Sequence, residues 1–424
     1  MKKLILLLFV CTSLVAEDYY FPPIDSDEWT AKPLSELGWS PPVMNEILDF
    51  LDTTGTKGFM ILVDGKIVTE EYFNDFDKDK FWYWASAGKT LTSTMIGLAQ
   101  QEGLLDIQNP TSDYLGEGWT NMEVEKEKNI KLFHNLSMST GLDYKVTNQN
   151  CMDPECLDFL NEAGTHWYYH NAPYRLLLDV LDSVYDKRVN QVTNQLIGDK
   201  IGMGGYWINY VRWGKTRDLA RFGSFIAAGG RWEDDFKLDE DYYNAMINTT
   251  QDMNESYGYL WWLNGKKSYK LPGFDLVLDG PLTPTAPSDM FAALGKDDQK
   301  IYIVPSMNMV VVRIGEDAGD SNFAASSYDT RLWEKLSKIF QTTSVETELS
   351  NSIISPNPAT DELVINSDLA YRKISIYDIN GTAVLQSDFT KNLDVSALAI
   401  GTYNLILTDK YGRVLIEETF IKAE

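Results

Sequence analysis

The stretch Trp84-Ala85-Ser86-Ala87-Gly88-Lys89-Thr90 places a serine hydroxyl three residues before a lysine amine, and it holds the one S-x-x-K of the chain. A serine hydroxyl is a weak nucleophile until a base takes its proton. A lysine whose pKa is depressed by burial can be that base. On a helix the two side chains lie one turn apart on one face. The pattern carries acyl-transfer chemistry if it is set into a structured helix start. Otherwise it is an ordinary surface pair.

The residues that follow supply the helix. Leu91, Met95, Leu98 and Ala99 recur at helical spacing, and Gly103 offers a stop. Ser86 is expected at the helix N-terminus, where the dipole favours a developing alkoxide. Residues 59–63, an Asp64-Gly65 turn and residues 66–73 read as a hairpin. Residues 301–304, a turn over 305–308 and residues 309–314 read as a second. Helical patterns cover residues 42–51 and 323–340. Helices layered on a mostly antiparallel sheet give an α/β class for residues 17–341.

The length of 424 residues suggests two or three domains. With 44% hydrophobic and 23% charged residues, wholesale disorder is excluded. The net charge is 37 basic minus 62 acidic residues, or −25, which argues against nucleic acid as a partner and against an anionic bilayer. Three histidines, His134, His166 and His170, are too few for a His-rich metal site. Met1-Lys2-Lys3 followed by apolar residues 4–10 reads as a signal peptide over residues 1–16, with cleavage between Ser13 and Ala16. The apolar run is far short of the about 20 residues that span a bilayer. A lipid anchor at Cys11 fits less well, because Val10 precedes it. Beyond the signal, Cys151 and Cys156 either close a small loop disulfide, as an exported protein permits, or stay packed as thiols.

Several blocks carry a resemblance to the serine β-lactamase and penicillin-binding-protein superfamily. They are Leu37-Gly38-Trp39, Val63-Asp64-Gly65-Lys66, the Ser86 helix ending in Glu102-Gly103-Leu104-Leu105, and Leu136-Ser137-Met138-Ser139-Thr140-Gly141-Leu142. Arg217-Asp218-Leu219-Ala220-Arg221-Phe222-Gly223 and Tyr257-Gly258-Tyr259-Leu260-Trp261-Trp262 continue them. The match spans residues 35–340 in the family's order. It looks closest to the class C-like esterases and 6-aminohexanoate-dimer hydrolases. The resemblance implies a β-lactamase-like antiparallel sheet flanked by helices, with an all-helical subdomain.

It also implies a second motif, Y-x-N. Tyr72-Phe73-Asn74, Tyr169-His170-Asn171 and Tyr242-Tyr243-Asn244 all fit. The first precedes the nucleophile and the third lacks the family flanks. The second has Trp167-Tyr168 before it and Pro173-Tyr174-Arg175-Leu176-Leu177 after it. Tyr169 is therefore expected as an acid or base, and Asn171 as a polar group facing substrate. A tyrosinate at neutral pH needs a nearby cation, which Lys89 could supply. The third motif departs from the family. Ala293-Leu294-Gly295 stands where relatives carry a basic residue, any residue and glycine, and Lys296 follows one strand face out of register. The amides of Ser86 and Lys296 are expected to form the oxyanion hole beside Gly295. Without the basic residue that grips a substrate carboxylate, neutral esters and amides are better candidates than β-lactams or D-Ala-D-Ala peptides. Trp82/Trp84, Trp167/Tyr168 and Trp261/Trp262 flank these motifs, either as cleft walls or as core.

Residues 342–355 read as a linker, and residues 356–424 as a small β-sandwich with no Cys and no His. Pro356-Asn357-Pro358, Ile374-Ser375-Ile376-Tyr377-Asp378, Leu393-Asp394-Val395-Ser396 and Gly401-Thr402-Tyr403 resemble the C-terminal sorting domain of the type IX secretion system. That implies the outer-membrane secretion machinery as a partner and a secreted or cell-surface location by way of the periplasm. The function implied is serine hydrolysis of small esters or amides through a Ser86 acyl-enzyme, needing no metal or organic cofactor. The alternatives are a recognition module that has lost hydrolysis, a β-lactamase or D-Ala-D-Ala peptidase, and a scaffold whose tail binds glycan.

Overall fold

The computed structural model describes residues 19–319, 325–341, 353–366, 373–379, 381–408 and 414–423. The signal peptide, Cys11, residues 342–352 of the linker, Asn380 and the turn at 409–412 lie outside the described residues. The chain forms two compact units. One comprises the chain up to Pro33 with Asp49–Glu334, and the other Leu34–Leu48 with Lys335–Glu424.

The first unit is built on a six-stranded antiparallel sheet. Its strands are β1 (Thr56–Val63), β2 (Lys66–Tyr72), β3 (Trp262–Leu263), β4 (Phe291–Gly295), β5 (Gln299–Val304) and β6 (Met309–Gly315), in the order β2-β1-β6-β5-β4-β3. Both sequence-predicted hairpins form. The first turns at Asp64 and Gly65 with φ of 52° and 78°, the left-handed pair that an Asp-Gly hairpin turn requires. β1, β5 and β6 are mostly apolar and almost entirely buried, with Gln299, Lys300 and Arg313 as the buried polar exceptions in β5 and β6. This is the reading of a strand covered on both faces rather than on one.

Four helices matter for the site and the core: α1 (Pro41–Thr53), α2 (Gly88–Gln101), α3 (Asn171–Tyr185) and α4 (Thr216–Ala227). A fifth, α5 (Ser327–Gln341), spans the last part of the predicted 323–340 pattern. α4 packs on β1, β5 and β6. α2 is buried at every residue from Gly88 to Ala99, although its sequence alternates apolar residues with Thr and Ser. Its hydroxyls turn inward on the helix: Thr90 donates to the Ala87 carbonyl at 2.8 Å and Thr94 to the Thr90 carbonyl at 3.0 Å. Such back-bonding pairs these two hydroxyls, whereas Thr92 Oγ1 and Ser93 Oγ are buried without a partner among the described residues.

The second unit holds the predicted β-sandwich. β7 (Ile354–Ser355), β8 (Glu362–Ile365) and β11 (Asn392–Asp394) form one sheet in the order β7-β8-β11. β9 (Lys373–Asp378), β10 (Ala383–Asp388), β12 (Gly401–Thr408) and β13 (Val414–Lys422) form the other in the order β10-β9-β12-β13. Alternate residues such as Ile374, Ile376, Leu405 and Leu407 are fully buried in one shared core, as the period of two in a one-sided sheet demands.

Candidate active site

The nucleophile segment is tied down on both sides before it turns. Trp82 and Tyr83 pair with Gly214 and Trp213 in a short ladder, and the Trp84 amide donates to the Arg212 carbonyl at 2.8 Å. Trp84 is fully buried. Ala85 then adopts φ 47°, a left-handed conformation that costs a non-glycine residue of order 1–3 kcal/mol unless its surroundings hold it. The kink opens a single 3-10 turn, Ala85–Ala87, which runs straight into α2. Ser86 thus sits just ahead of the helix, half-buried and reachable, with Lys89 one turn on.

Lys89 Nζ lies 2.7 Å from Ser86 Oγ. Its residue is 2% exposed. No carboxylate pairs with it among the described residues. Its other neighbours are ring faces, with Nζ 4.9 Å from the Tyr169 centroid and 4.1 Å from that of Tyr174. Burial pushes the Lys89 amine well below the usual lysine range, and the positive charge of Arg175 pushes it the same way. Both effects favour the neutral amine beside the serine hydroxyl.

Tyr169 is buried against Trp262, with rings stacked at 5.8 Å, and meets Tyr257 edge-on at 6.3 Å. Burial raises its phenol, while hydrogen bonding with Ser86 opposes that rise. An amine pushed down in this way is a poor counter-charge for a tyrosinate, and burial favours the phenol form of Tyr169 as well. Asn171 begins α3. Its Nδ2 donates to Asn150 Oδ1 at 3.0 Å, and its own Oδ1 is buried without a partner.

The end of β4 closes the other side. Along β4, β3 pairs with Phe291 and Ala292, which leaves Ala293, Leu294 and Gly295 beyond its reach on that edge. A Cβ on Gly295 would lie 2.6 Å from the Trp84 carbonyl oxygen and 3.1 Å from the Ala87 amide nitrogen. Glycine is thus what lets this strand touch the nucleophile turn. Lys296 follows in a 3-10 turn, with its side chain 60% exposed and its amine 3.9 Å from Asp297.

The structure brings Ser86, Lys89, Tyr169 and the Gly295 backbone together and sets Asn171 two residues beyond the tyrosine. The other Y-x-N stretches stand apart: Tyr72 ends β2, and Tyr242 and Tyr243 are buried in the helix Glu240–Met246. Of the two readings of the aromatic pairs, the core reading holds for four of the rings. Trp84, Trp167, Trp261 and Trp262 are core residues that back the site. His170 is buried, and burial pushes it down to about 4. His134 is likewise pushed to about 4 and accepts from the Lys131 amide at 3.1 Å. Sequence reasoning missed Arg175 and Asn150. Arg175 was legible in principle, since it falls one turn after Asn171 on the same helix face. A separate cleft beneath residues 24–27 holds none of these residues, and two of its lysines are already paired, Lys78 with Asp27 at 2.7 Å and Lys215 with Asp79 at 3.0 Å.

The Beta-lactamase family model matches residues 51–318, and the Secretion system C-terminal sorting domain matches residues 354–422. No curated protein matches the chain. Among solved structures, one from Bacteroides dorei DSM 17855 described as a beta-lactamase is 16% identical with a TM-score of 0.55. The alignment covers 71% of this chain and 98% of that one. One from Bacillus anthracis described as a 6-aminohexanoate-dimer hydrolase is 16% identical with a TM-score of 0.56, covering 77% and 90%. EstCE1, a hydrolase with promiscuous acyltransferase activity, is 13% identical with a TM-score of 0.52, covering 72% and 98%. At such identities these structures speak for the fold. The sorting domain indicates export to the cell surface or beyond. With a family match over most of its body and a β-lactamase-like sheet carrying the S-x-x-K turn, the chain belongs to the beta-lactamase family.

Proposed function

We propose that this protein is an exported serine hydrolase that cleaves small esters or amides through an acyl-enzyme on Ser86. The observation that carries the reading is the 2.7 Å contact between Ser86 Oγ and a buried Lys89 amine that lacks a counter-ion. Lys89 takes the serine proton as Oγ attacks the substrate carbonyl. The tetrahedral oxyanion is received by backbone amides of Ser86 and Lys296, where Gly295 lets β4 approach the turn. As the intermediate collapses, the Tyr169 phenol protonates the departing alcohol or amine and is itself reprotonated from Lys89. Water then releases the acyl group by the reverse sequence. Asn171 faces the substrate.

The absence of a basic residue at Ala293 favours neutral substrates over β-lactams, whose carboxylate would find no partner from that strand. We read residues 17–341 as the hydrolase body, 342–355 as linker and 356–424 as the part addressed to the secretion machinery. The test is intact mass after incubation with a fluorophosphonate, on the wild type and on Ser86→Ala. One adduct on the wild type alone is expected. Labelling of Ser86→Ala, or hydrolysis that survives in it, overturns the assignment. A folded wild type that takes no label would favour a recognition module instead.

A further inference from the structure

The loop before the Tyr169 segment is docked on the first turn of α3 through consecutive residues. The Gln149 carbonyl accepts from the Ala172 amide at 3.1 Å. Asn150 Oδ1 accepts from Asn171 Nδ2 at 3.0 Å, and the Asn150 carbonyl accepts from Arg175 Nη1 at 2.8 Å. Gln149 is held in turn, its Nε2 donating to the Tyr144 carbonyl at 3.0 Å. An amide that a helix start leaves unpaired, a side chain expected to face substrate and the cation that bears on Lys89 all end on two neighbouring loop residues.

Little else holds that loop. Residues 147–150 are Thr-Asn-Gln-Asn and mostly exposed, so no apolar burial offsets the entropy of ordering them. The chain is instead bridged at the next residue, Cys151 to Cys156. Cys156 is followed by the fully buried Leu157, whose carbonyl accepts from the Asn121 amide at 3.2 Å. The bridge thus connects an exposed polar tip to an anchored point. With Nδ2 engaged by Asn150, the Asn171 amide is set in one orientation and its buried Oδ1 stays without a partner.

We propose that Asn150, seated by the Cys151–Cys156 bridge, is a positioning residue for Asn171 and thereby governs substrate affinity at the Ser86 site. The inference rests on the reading of that site given above. The test measures kcat, KM and melting temperature on a neutral p-nitrophenyl ester for the full chain. Asn150→Ala is expected to raise KM about tenfold, the worth of one well-placed hydrogen bond, with kcat within about threefold of wild type. Asn150→Asp keeps an acceptor for Asn171 and should stay near wild type. The Cys151→Ser/Cys156→Ser variant should raise KM as Asn150→Ala does, and the combination should add nothing further, because both changes release the same contact. An unchanged KM in Asn150→Ala, or additive effects in the combination, overturns the proposal. If Asn150→Ala lowers the melting temperature steeply, the Asn150→Asp and bridge variants decide alone. Wild-type hydrolysis and Ser86 labelling are scored first. Their absence overturns the site reading and this proposal with it, whereas their presence with an unmoved KM overturns this proposal only.

Discussion

Two lysines in the first unit are equally hidden from water and differ in everything else. Lys300, on β5, is fully buried, 3.0 Å from Asp329 Oδ1 and 3.3 Å from Asp298 Oδ1. Asp329 also accepts from the Tyr302 hydroxyl at 2.5 Å, and Asp298 from the Ser326 hydroxyl at 2.7 Å. Lys89 is 2% exposed and has a hydroxyl, two tyrosine rings and the field of another cation. Burial penalises a charge unless partners replace the water that is lost. Around Lys300 they do, and the result is a structural knot of buried salt bridges. Around Lys89 they do not, and burial pushes its amine well below the usual lysine range, which favours the base form. A lysine becomes chemically useful through the partners it lacks.

The sharpest way to break this contrast is to replace each lysine by methionine. Lys89→Met is expected to lower kcat/KM by about 10²–10⁴-fold, the usual worth of a general base, while the folded state is as stable as before or more so. Ester hydrolysis and thermal melting on one preparation check both halves. A Lys89→Met enzyme with undiminished turnover would remove the lysine from the chemistry. Lys300→Met should do the opposite. It leaves Asp298 and Asp329 buried without their cation, at a cost of about 3–5 kcal/mol, with turnover of the folded fraction unchanged. Urea melts measure this, and a neutral result would mean that the knot is not held by charge.

Next comes Gly295→Ala, which leaves both lysines alone and moves the strand between them. Its Cβ must displace the Trp84 carbonyl or the Ala87 amide. A shift of that size at a reacting centre costs about 10²-fold in kcat. Pre-steady-state acylation rates check it, and an unaltered rate would show that β4 contributes no oxyanion contact.

The smallest expected effect is on pH. The folded-state pKa of Lys89 lies below its unfolded value of about 10.4. Between those two values the unfolded chain binds a proton that the folded chain does not, so stability rises with pH through that window. Lys89→Met should flatten this slope relative to wild type, as read from denaturant midpoints across alkaline pH. An identical slope in both proteins would mean that Lys89 is not depressed. The same depression makes kcat/KM fall as pH drops through the folded-state pKa, since only the free amine accepts the serine proton.

Much of this was legible in the chain. Ser86 and Lys89 stand at a spacing that a helix resolves, and the Asp64-Gly65 hairpin and the alternating strands of the sandwich announce themselves by local chemistry. Local signals work where the physics is local: a turn needs two left-handed residues, and a one-sided strand needs a period of two. They fail at α2, whose mixed Thr, Ser and apolar residues gave an amphipathic pattern while the fold buries it all round. They leave Trp261 and Trp262 undecided between cleft wall and core, and packing makes them core.

The sequence by itself determined the Ser86–Lys89 spacing, the lack of a basic residue at Ala293, the sandwich of the tail and the address that tail carries. Tertiary structure alone decided that no carboxylate pairs with Lys89 among the described residues, that burial favours the phenol of Tyr169, that Gly295 touches the Trp84 turn, and that Asn150 meets Asn171 and Arg175 at the start of α3. The reason is that a residue's type and spacing are properties of the chain. Its pKa and its orientation depend on what the rest of the molecule brings within a few ångströms, and those neighbours are distant in sequence.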